Sequence, residues 1–353
     1  MTRVLLVGYS GHRNFGDDLL LEQAYEELGA SCELTIWSNA EGTGSDYLKS
    51  WFPEAEIVIS RKIGRSLFQE FDRVLYFGGG VFFDYAELGI RQLGRQLVSI
   101  SLNYRHPKVK GVKFGAIGLG LGPFTNWRSR LVARYRLSTF SLLAVRDEES
   151  FVFMNQPPFG KTPFRGCDLS LLRGLRPCAS SIESSNKILI CPRVFPHGSG
   201  GDEYNLRVAK WAKHRSETDS EILVFGFQSS HDEPVMEIYR SLGLETRMWD
   251  PDTMTTTEVF DLFSTHNLVV SARMHGIYVA GLTGIPSLGI NVHPKVPDAC
   301  AIVGNSSYID IDFSVAELTK AASRVTTQIE TTDLREYQYL AKQQYAEVRL
   351  WLT

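Results

Sequence analysis

Short apolar runs, each closed by a glycine-rich or charged turn and followed by residues at helical spacing, recur along this chain. Val4–Val7 runs into Gly8-Tyr9-Ser10-Gly11, Val74–Phe77 into Gly78-Gly79-Gly80, and Val112–Ile117 into Gly118-Leu119-Gly120. Leu142–Val145 ends at Arg146-Asp147-Glu148-Glu149, Ile188–Cys191 at Pro192-Arg193, and Leu223–Phe227 at Gln228-Ser229-Ser230-His231-Asp232. Continuous apolar runs of this length read as strands buried on both faces, and their alternation with helices predicts a doubly wound, mostly parallel sheet. Length doubles the picture: 353 residues exceed what one hydrophobic core usually organises, so two domains are expected. The Ser-, Pro- and Gly-rich stretch Arg173–Asn186 reads as the linker. The expected layout is α/β, with a Rossmann-like domain over 1–175, a second over 187–330 and a C-terminal helix over 331–353. The two domains are expected to face one another across a cleft, the GT-B-like architecture, with ligands between their strand ends.

The stretch Ser271–Ile290, SARMHGIYVAGLTGIPSLGI, follows the apolar run Leu268–Val270 and reads as strand, polar turn, helix, turn, strand. A helix N-terminus beyond a strand end presents unpaired N–H groups and partial positive charge to an anion. Ser271 is a candidate cap there. Arg273 supplies a fork of donors suited to carboxylate or phosphate, and His275 is of the residue type that exchanges a proton near neutral pH. A satisfied structural histidine and a surface arginine explain the same residues equally well in isolation. On the N-terminal side, Asn14-Phe15-Gly16-Asp17-Asp18 places paired carboxylates at a βα turn. They suit acid–base or hydroxyl-binding work, with helix capping by Asp17 as the simpler alternative. The glycine spacing is not that of the GxGxxG dinucleotide turn.

Composition removes several classes of function. A formal net charge of -3 argues against nucleic acid as the main partner, because a phosphate backbone demands a basic surface. Five scattered cysteines without CxxC spacing predict free thiols in a reduced compartment and no zinc site. The apolar run in MTRVLLVGYSG is too short for a signal peptide, and no run approaches the roughly 20 residues of a membrane span. The expected location is cytoplasmic. The segment Trp127–Arg136, with Arg128, Arg130, Arg134 and Arg136, has the character of a basic amphipathic helix. It reads either as a solvated face or as a peripheral contact with the cytoplasmic face of a membrane.

Taken together, the turn sequences resemble the polysaccharide pyruvyl transferase family. The elements are GYSGHRNFGDD at Gly8–Asp18, FGGGVFFD at Phe77–Asp84, GLGLGP at Gly118–Pro123, VRDEES at Val145–Ser150, CDLSLL at Cys167–Leu172, Pro192-Arg193, Ser271–Pro286 and HPKV at His293–Val296. Relatives often carry tyrosine and aspartate before the proline where this chain has Val292-His293, which bears on acceptor details. The resemblance implies transfer of pyruvate from phosphoenolpyruvate to two hydroxyls of a hexose as a cyclic ketal, with phosphate released. The acceptor is a cell-surface polysaccharide or its lipid-linked precursor. No cofactor or metal is called for. Arg193, Arg273, Ser271 and Lys295 are then the candidate phosphoenolpyruvate contacts. His275, Arg273 and Asp17 are the candidate catalytic groups, with His275 as the acid. Asn14, Asp17, Asp18, Gly79, Gly80 and Asp168 are the candidate acceptor contacts. Arg146 is expected to pair with an adjoining carboxylate. The competing readings are a GT-B-type glycosyltransferase using a nucleotide sugar, in which Glu258 is the arguable ribose contact, and a non-catalytic glycan-binding relative.

Overall fold

A computed structural model describes residues 1–40, 45–80, 82–84, 88–124, 126–174, 186–194, 201–327 and 334–353. Most of the expected linker, with Cys178, and the segment Phe195-Pro196-His197 lie outside the described residues. The chain divides into two compact units, one of residues 1–12, 17–172 and 336–353, the other of 13–16 and 173–335.

The N-terminal unit contains β1 (Arg3–Val7), α1 (Phe15–Leu28), β2 (Glu33–Ser38), α2 (Tyr47–Trp51), β3 (Glu56–Ile59), α3 (Arg65–Phe68), β4 (Arg73–Phe77), β5 (Phe82–Asp84), α4 (Ile90–Tyr104), β6 (Lys113–Leu119), β7 (Leu121–Phe124), α5 (Trp127–Leu137), β8 (Leu142–Val145), α6 (Glu148–Asn155) and β9 (Phe164–Arg165). The main sheet runs β3-β2-β1-β4-β6-β8-β9, and β5 pairs with β7 apart from it. All of these pairings are parallel. The order reverses between β1 and β4, which makes the ends of these two strands the topological switch point. Every residue of β4 is buried, as expected of a strand covered by helices on both faces.

The C-terminal unit contains β10 (Asn186–Cys191), α7 (Gly201–Thr218), β11 (Ser220–Gly226), α8 (Ser229–Ser241), β12 (Glu245–Met248), α9 (Thr256–Ser264), β13 (Leu268–Ser271), α10 (Met274–Leu282), β14 (Ser287–Asn291), α11 (Lys295–Val303), β15 (Ser306–Asp310) and α12 (Val315–Thr327). Its six parallel strands run β12-β11-β10-β13-β14-β15, so the switch point lies between β10 and β13. Ile190, Val224 and Val270 from three adjacent strands pack with Trp211 and Tyr239 from the covering helices in one core. Short polar strands such as Glu245–Met248 escaped the apolar pattern because they lie at a sheet edge, where only one face needs burial.

The last helix, α13 (Arg335–Leu352), belongs from Glu336 onward to the N-terminal unit. Gln344 explains why. Its side chain is fully buried, its Oε1 accepts from the Gly118 N–H at 2.7 Å, and its Nε2 donates to the Cys167 carbonyl at 3.0 Å. Two backbone groups at the ends of the β6 and β9 segments are satisfied by one amide. Arg73 adds hydrogen bonds to the Trp351 and Leu352 carbonyls.

Arginines of α5 and of the turn after β8 take definite partners. In α5, capped by the Asn126 side chain, three of the basic residues turn inward, while Arg130 is exposed. Arg134 donates to the Gln156 and Pro157 carbonyls at 2.9 and 2.7 Å, Arg136 lies over the rings of Phe82 and Tyr104, and Arg128 donates to the Leu88 carbonyl. These three guanidinium groups serve packing rather than the helix surface. Arg146 pairs with the adjoining Asp147 at 3.6 Å, as expected, and more closely with Asp168 at 2.8 Å. Both members of the Arg146–Asp168 pair are buried, and a buried charge must find a partner wherever the fold supplies one.

Gln344→Ala leaves the Gly118 N–H and the Cys167 carbonyl buried and unpaired. At about 1–3 kcal/mol for each such group, urea unfolding should show a stability loss of roughly 2–6 kcal/mol. A loss within experimental error would remove Gln344 as the anchor of α13.

Candidate active site

The C-terminal switch point assembles most of the residues singled out above. Cys191 at the end of β10 is in register with Ser271 at the end of β13, so the turns that leave these strands start side by side. Ser271 is buried, and its hydroxyl accepts from the Arg273 N–H at 3.0 Å and donates to the Arg273 carbonyl at 2.7 Å. This local loop, rather than a cap on α10, is the role of Ser271; the residue that occupies the cap position is Arg273 itself. Gly276 follows because a Cβ there would lie 2.3 Å from the Ser271 hydroxyl.

Arg273 is almost buried, with 11% of its side chain exposed. Its Nη2 forms an ion pair with Asp232 and its Nε donates to the Pro192 carbonyl. Among the described residues no hydrogen bond is made by its Nη1. Asp232 is wholly buried. Its second oxygen accepts from the backbone N–H groups of Phe227 and Gln228, at 2.9 and 3.0 Å, and so closes the turn after β11. One carboxylate therefore ties the β11 turn to the β13 turn. Asp232 was legible in the sequence only as part of a polar turn; its partner lies 41 residues away and no spacing rule links them.

The same cluster includes Arg13–Gly16, four residues that the sequence reading assigned to the N-terminal domain. Asn14 makes an isolated antiparallel bridge with Gln228, and their side chains meet at 3.1 Å. The Phe15 N–H donates to the Phe227 carbonyl, and the Phe15 ring packs edge-on against Phe227 and Trp249. Arg13 has a backbone φ of 49°, a region that side-chain-bearing residues seldom occupy. Ion pairs with Asp250 at 2.8 Å and Asp252 at 2.6 Å hold it there. The Asn14 carboxamide also accepts from the Gly16 N–H and so occupies the cap position expected of Asp17, because α1 starts at Phe15. Asn14 thus packs with the C-terminal cluster.

His275 stands in the first turn of α10 and faces Gly16. A Cβ on Gly16 would lie 1.9 Å from His275 Nδ1, so the imidazole occupies the space that any side chain at position 16 would need. Arg193 follows β10, and its carbonyl accepts from Tyr204 and from Asn205 Nδ2. Burial pushes the Tyr204 hydroxyl up to about 12, against the opposing influence of its hydrogen bonds and of the Arg273 and Arg193 charges. Burial likewise raises the Cys191 thiol well above its ordinary range, so it sits in the site as a neutral group. Lys295 is the first residue of α11, one strand further along the sheet, and its N–H donates to His293 Nδ1.

The remaining residues lie in the N-terminal unit. Gly78 and Gly79 take φ values of 55° and 67° just beyond β4, where a residue without Cβ is required; Gly80 follows. Asp17 in the first turn of α1 approaches Gly79, its Oδ1 lying 3.3 Å from the position of a Cβ there. Asp18 is buried and bonded to the Tyr47 hydroxyl. The Asp168 carboxylate is taken up by Arg146 and by the Ser170 N–H and hydroxyl. Packing accounts for Asp18 and Asp168. Glu258 forms a capping box with Thr255 at the start of α9.

Solved structures share the fold at low identity. The chain superposes on the MnaA–UDP complex from S. aureus with a TM-score of 0.64 and 12% identity, covering 100% of this chain and 97% of that one. It superposes on the UDP-GlcNAc 2-epimerase of Methanocaldococcus jannaschii in complex with UDP-GlcNAc and UDP with a TM-score of 0.62 and 10% identity, covering 99% of each. For Anabaena Alr3699/HepE in complex with UDP-glucose the values are 0.55 and 12%, over 100% of this chain and 98% of that one. The likeness establishes a GT-B-like α/β fold with two parallel sheets. No curated protein matches the chain by sequence. A family model for polysaccharide pyruvyl transferase matches residues 14–294, a span that starts at Asn14 and takes in Asp232, Arg273 and His275, and the chain therefore belongs to the polysaccharide pyruvyl transferase family of transferases.

Proposed function

We propose that this protein moves the pyruvyl group of phosphoenolpyruvate onto two hydroxyls of a hexose in a cell-surface polysaccharide or its lipid-linked precursor. The observation that carries the reading is that Arg193, Arg273 and His275 follow the ends of the adjacent strands β10 and β13 at the switch point in a chain of this family. Phosphoenolpyruvate carries a carboxylate and a phosphate, and fixed cations beside a helix N-terminus suit both. The Asp232 pair holds the Arg273 guanidinium in one orientation while its Nη1 faces the donor. Arg193 and Lys295 supply the further positive charge.

The reaction has three parts. His275, as general acid, gives a proton to the methylene carbon of the enol, which turns the adjacent carbon into an electrophile. An acceptor hydroxyl then forms a C–O bond to that carbon and loses its proton. The C–O bond to phosphate breaks, phosphate departs with the electron pair, and the second hydroxyl adds at the same carbon to close the ketal. Methylene has become methyl, two hydroxyl protons have been released or transferred, and no electron has been exchanged with an outside reagent. Asp17 beside Gly79 is the carboxylate assigned to the acceptor hydroxyls.

Phosphate release from phosphoenolpyruvate should appear on addition of glycan or lipid-linked acceptors, with a product mass raised by one ketal-linked pyruvate. A folded His275→Ala variant should lose about 10²- to 10⁴-fold in rate, the usual worth of a general acid; full activity would remove His275 from the mechanism. Gly16→Ala should displace the imidazole, because the added Cβ would lie 1.9 Å from Nδ1. A misplacement of that order lowers kcat by about 10²-fold with the protein still folded, and an unchanged kcat would show that the position of His275 is immaterial. Phosphoenolpyruvate at about 100 times its Kd should add about 2.7 kcal/mol of apparent stability. Stabilisation by UDP-GlcNAc with none by phosphoenolpyruvate would instead favour a nucleotide-sugar transferase.

A further inference from the structure

A groove of about 1090 Å³ lies between α3 and α4 in the N-terminal unit, lined by none of the site residues above. Lys62, Arg65, Arg91 and Arg95 line it, and no carboxylate does among the described residues. This is a local excess of positive charge on a chain whose net charge is -3. The α4 helix explains how it arises. Its buried side packs on α5, with Ile100 wholly covered and the Ser101 hydroxyl 2.9 Å from that of Tyr135. The opposite side meets the α3 segment only at its C-terminal end, where the Arg65 N–H donates to Asn103 Oδ1, and its other residues are exposed. Arg91 and Arg95 stand four apart there, as do Val98 and Leu102, and residues four apart share one face of a helix.

Val98 is 58% exposed, Leu102 50% and Ile90, at the start of the helix, 73%. The stripe from Ile90 to Leu102 is about 18 Å long at 1.5 Å per residue. We propose that α4 lies on an anionic lipid bilayer, with Lys62, Arg65, Arg91 and Arg95 against the head groups and Ile90, Val98 and Leu102 in the acyl boundary. Charge selects an anionic partner, and the apolar residues in the same stripe select a bilayer over a soluble polyanion, which would leave them in water. An amphipathic helix with cations beside apolar residues binds such an interface in its plane. Among the described residues no helix is long and apolar enough to cross a membrane, so the contact is peripheral. The inward arginines of α5 do not contribute. The inference does not depend on the donor substrate, because it uses no residue of the β10/β13 site.

Co-sedimentation of the full chain with vesicles tests it without any substrate. The protein should pellet with equimolar phosphatidylcholine and phosphatidylglycerol and stay in the supernatant with phosphatidylcholine alone. At about five-fold in affinity per basic residue near an anionic surface, the double variant Arg91→Glu/Arg95→Glu should bind at least about 25-fold more weakly. Val98→Ser/Leu102→Ser should also weaken binding, and Arg130→Glu on α5 should leave it unchanged. All these side chains are exposed, so thermal melting should match the parent; Arg91→Gln/Arg95→Gln replaces the charge reversal if it does not. Binding that is equal on both vesicles, or that survives loss of both arginines, overturns the proposal. So does vesicle binding untouched by the Val98/Leu102 pair alongside heparin binding lost with the arginines, which would identify a soluble polyanion as the partner.

Discussion

The buried pair between Asp232 and Arg273 is the interaction on which the C-terminal site depends. Asp232 closes the turn after β11 through two backbone N–H groups and spends its remaining oxygen on Arg273. Arg273 in turn rests on the Pro192 carbonyl after β10 and has its backbone gripped by Ser271 after β13. Three strand ends are thereby locked to one another by a single ion pair. Neither charge would survive burial alone, because desolvation of a lone carboxylate or guanidinium costs several kcal/mol. The pair therefore holds the geometry of the turns and fixes the orientation of a guanidinium without leaving it to rotamer chance.

Close approach is the second constraint. Gly16 and Gly276 flank His275 in space and in sequence respectively, and each occupies a position where one carbon more would collide with a polar atom of the site. The Arg13–Gly16 strip is held against the β11 turn by a backbone bridge, an aromatic cluster and two ion pairs at Arg13. A loop this heavily tied presents Gly16 to the imidazole as a fixed wall, which is how a small residue comes to define the position of a large one.

Arginine shows why residue type alone is a poor guide to function. The chain offers arginines in two conspicuous settings, the cluster in α5 and the pair in α4. The α5 cluster looked the more suggestive in sequence, yet its guanidinium groups satisfy the Gln156, Pro157 and Leu88 carbonyls and cover Phe82 and Tyr104. A long amphipathic side chain can turn either way, and the direction depends on which carbonyls and rings the neighbouring segments bring within reach. Asp168 is a similar case: the carboxylate that the sequence offers as a sugar contact is buried against Arg146.

From the sequence by itself came the strand–turn–helix alternation, the α/β class, the resemblance to the pyruvyl transferase family and the prominence of Arg273 and His275. These are legible because buried parallel strands require continuous apolar runs, and because glycine and charge gather where strands end. Which unit a residue serves was decided only by the tertiary structure. Asn14 and Gly16 stand in the N-terminal stretch of chain but pack with β11 and His275, and Gln344 reaches back from the last helix to Gly118. The partner of Arg273 was equally hidden. Ion pairs, amide bridges and close contacts between segments tens or hundreds of residues apart leave no periodic signal in either segment, so their existence follows from the folded geometry alone.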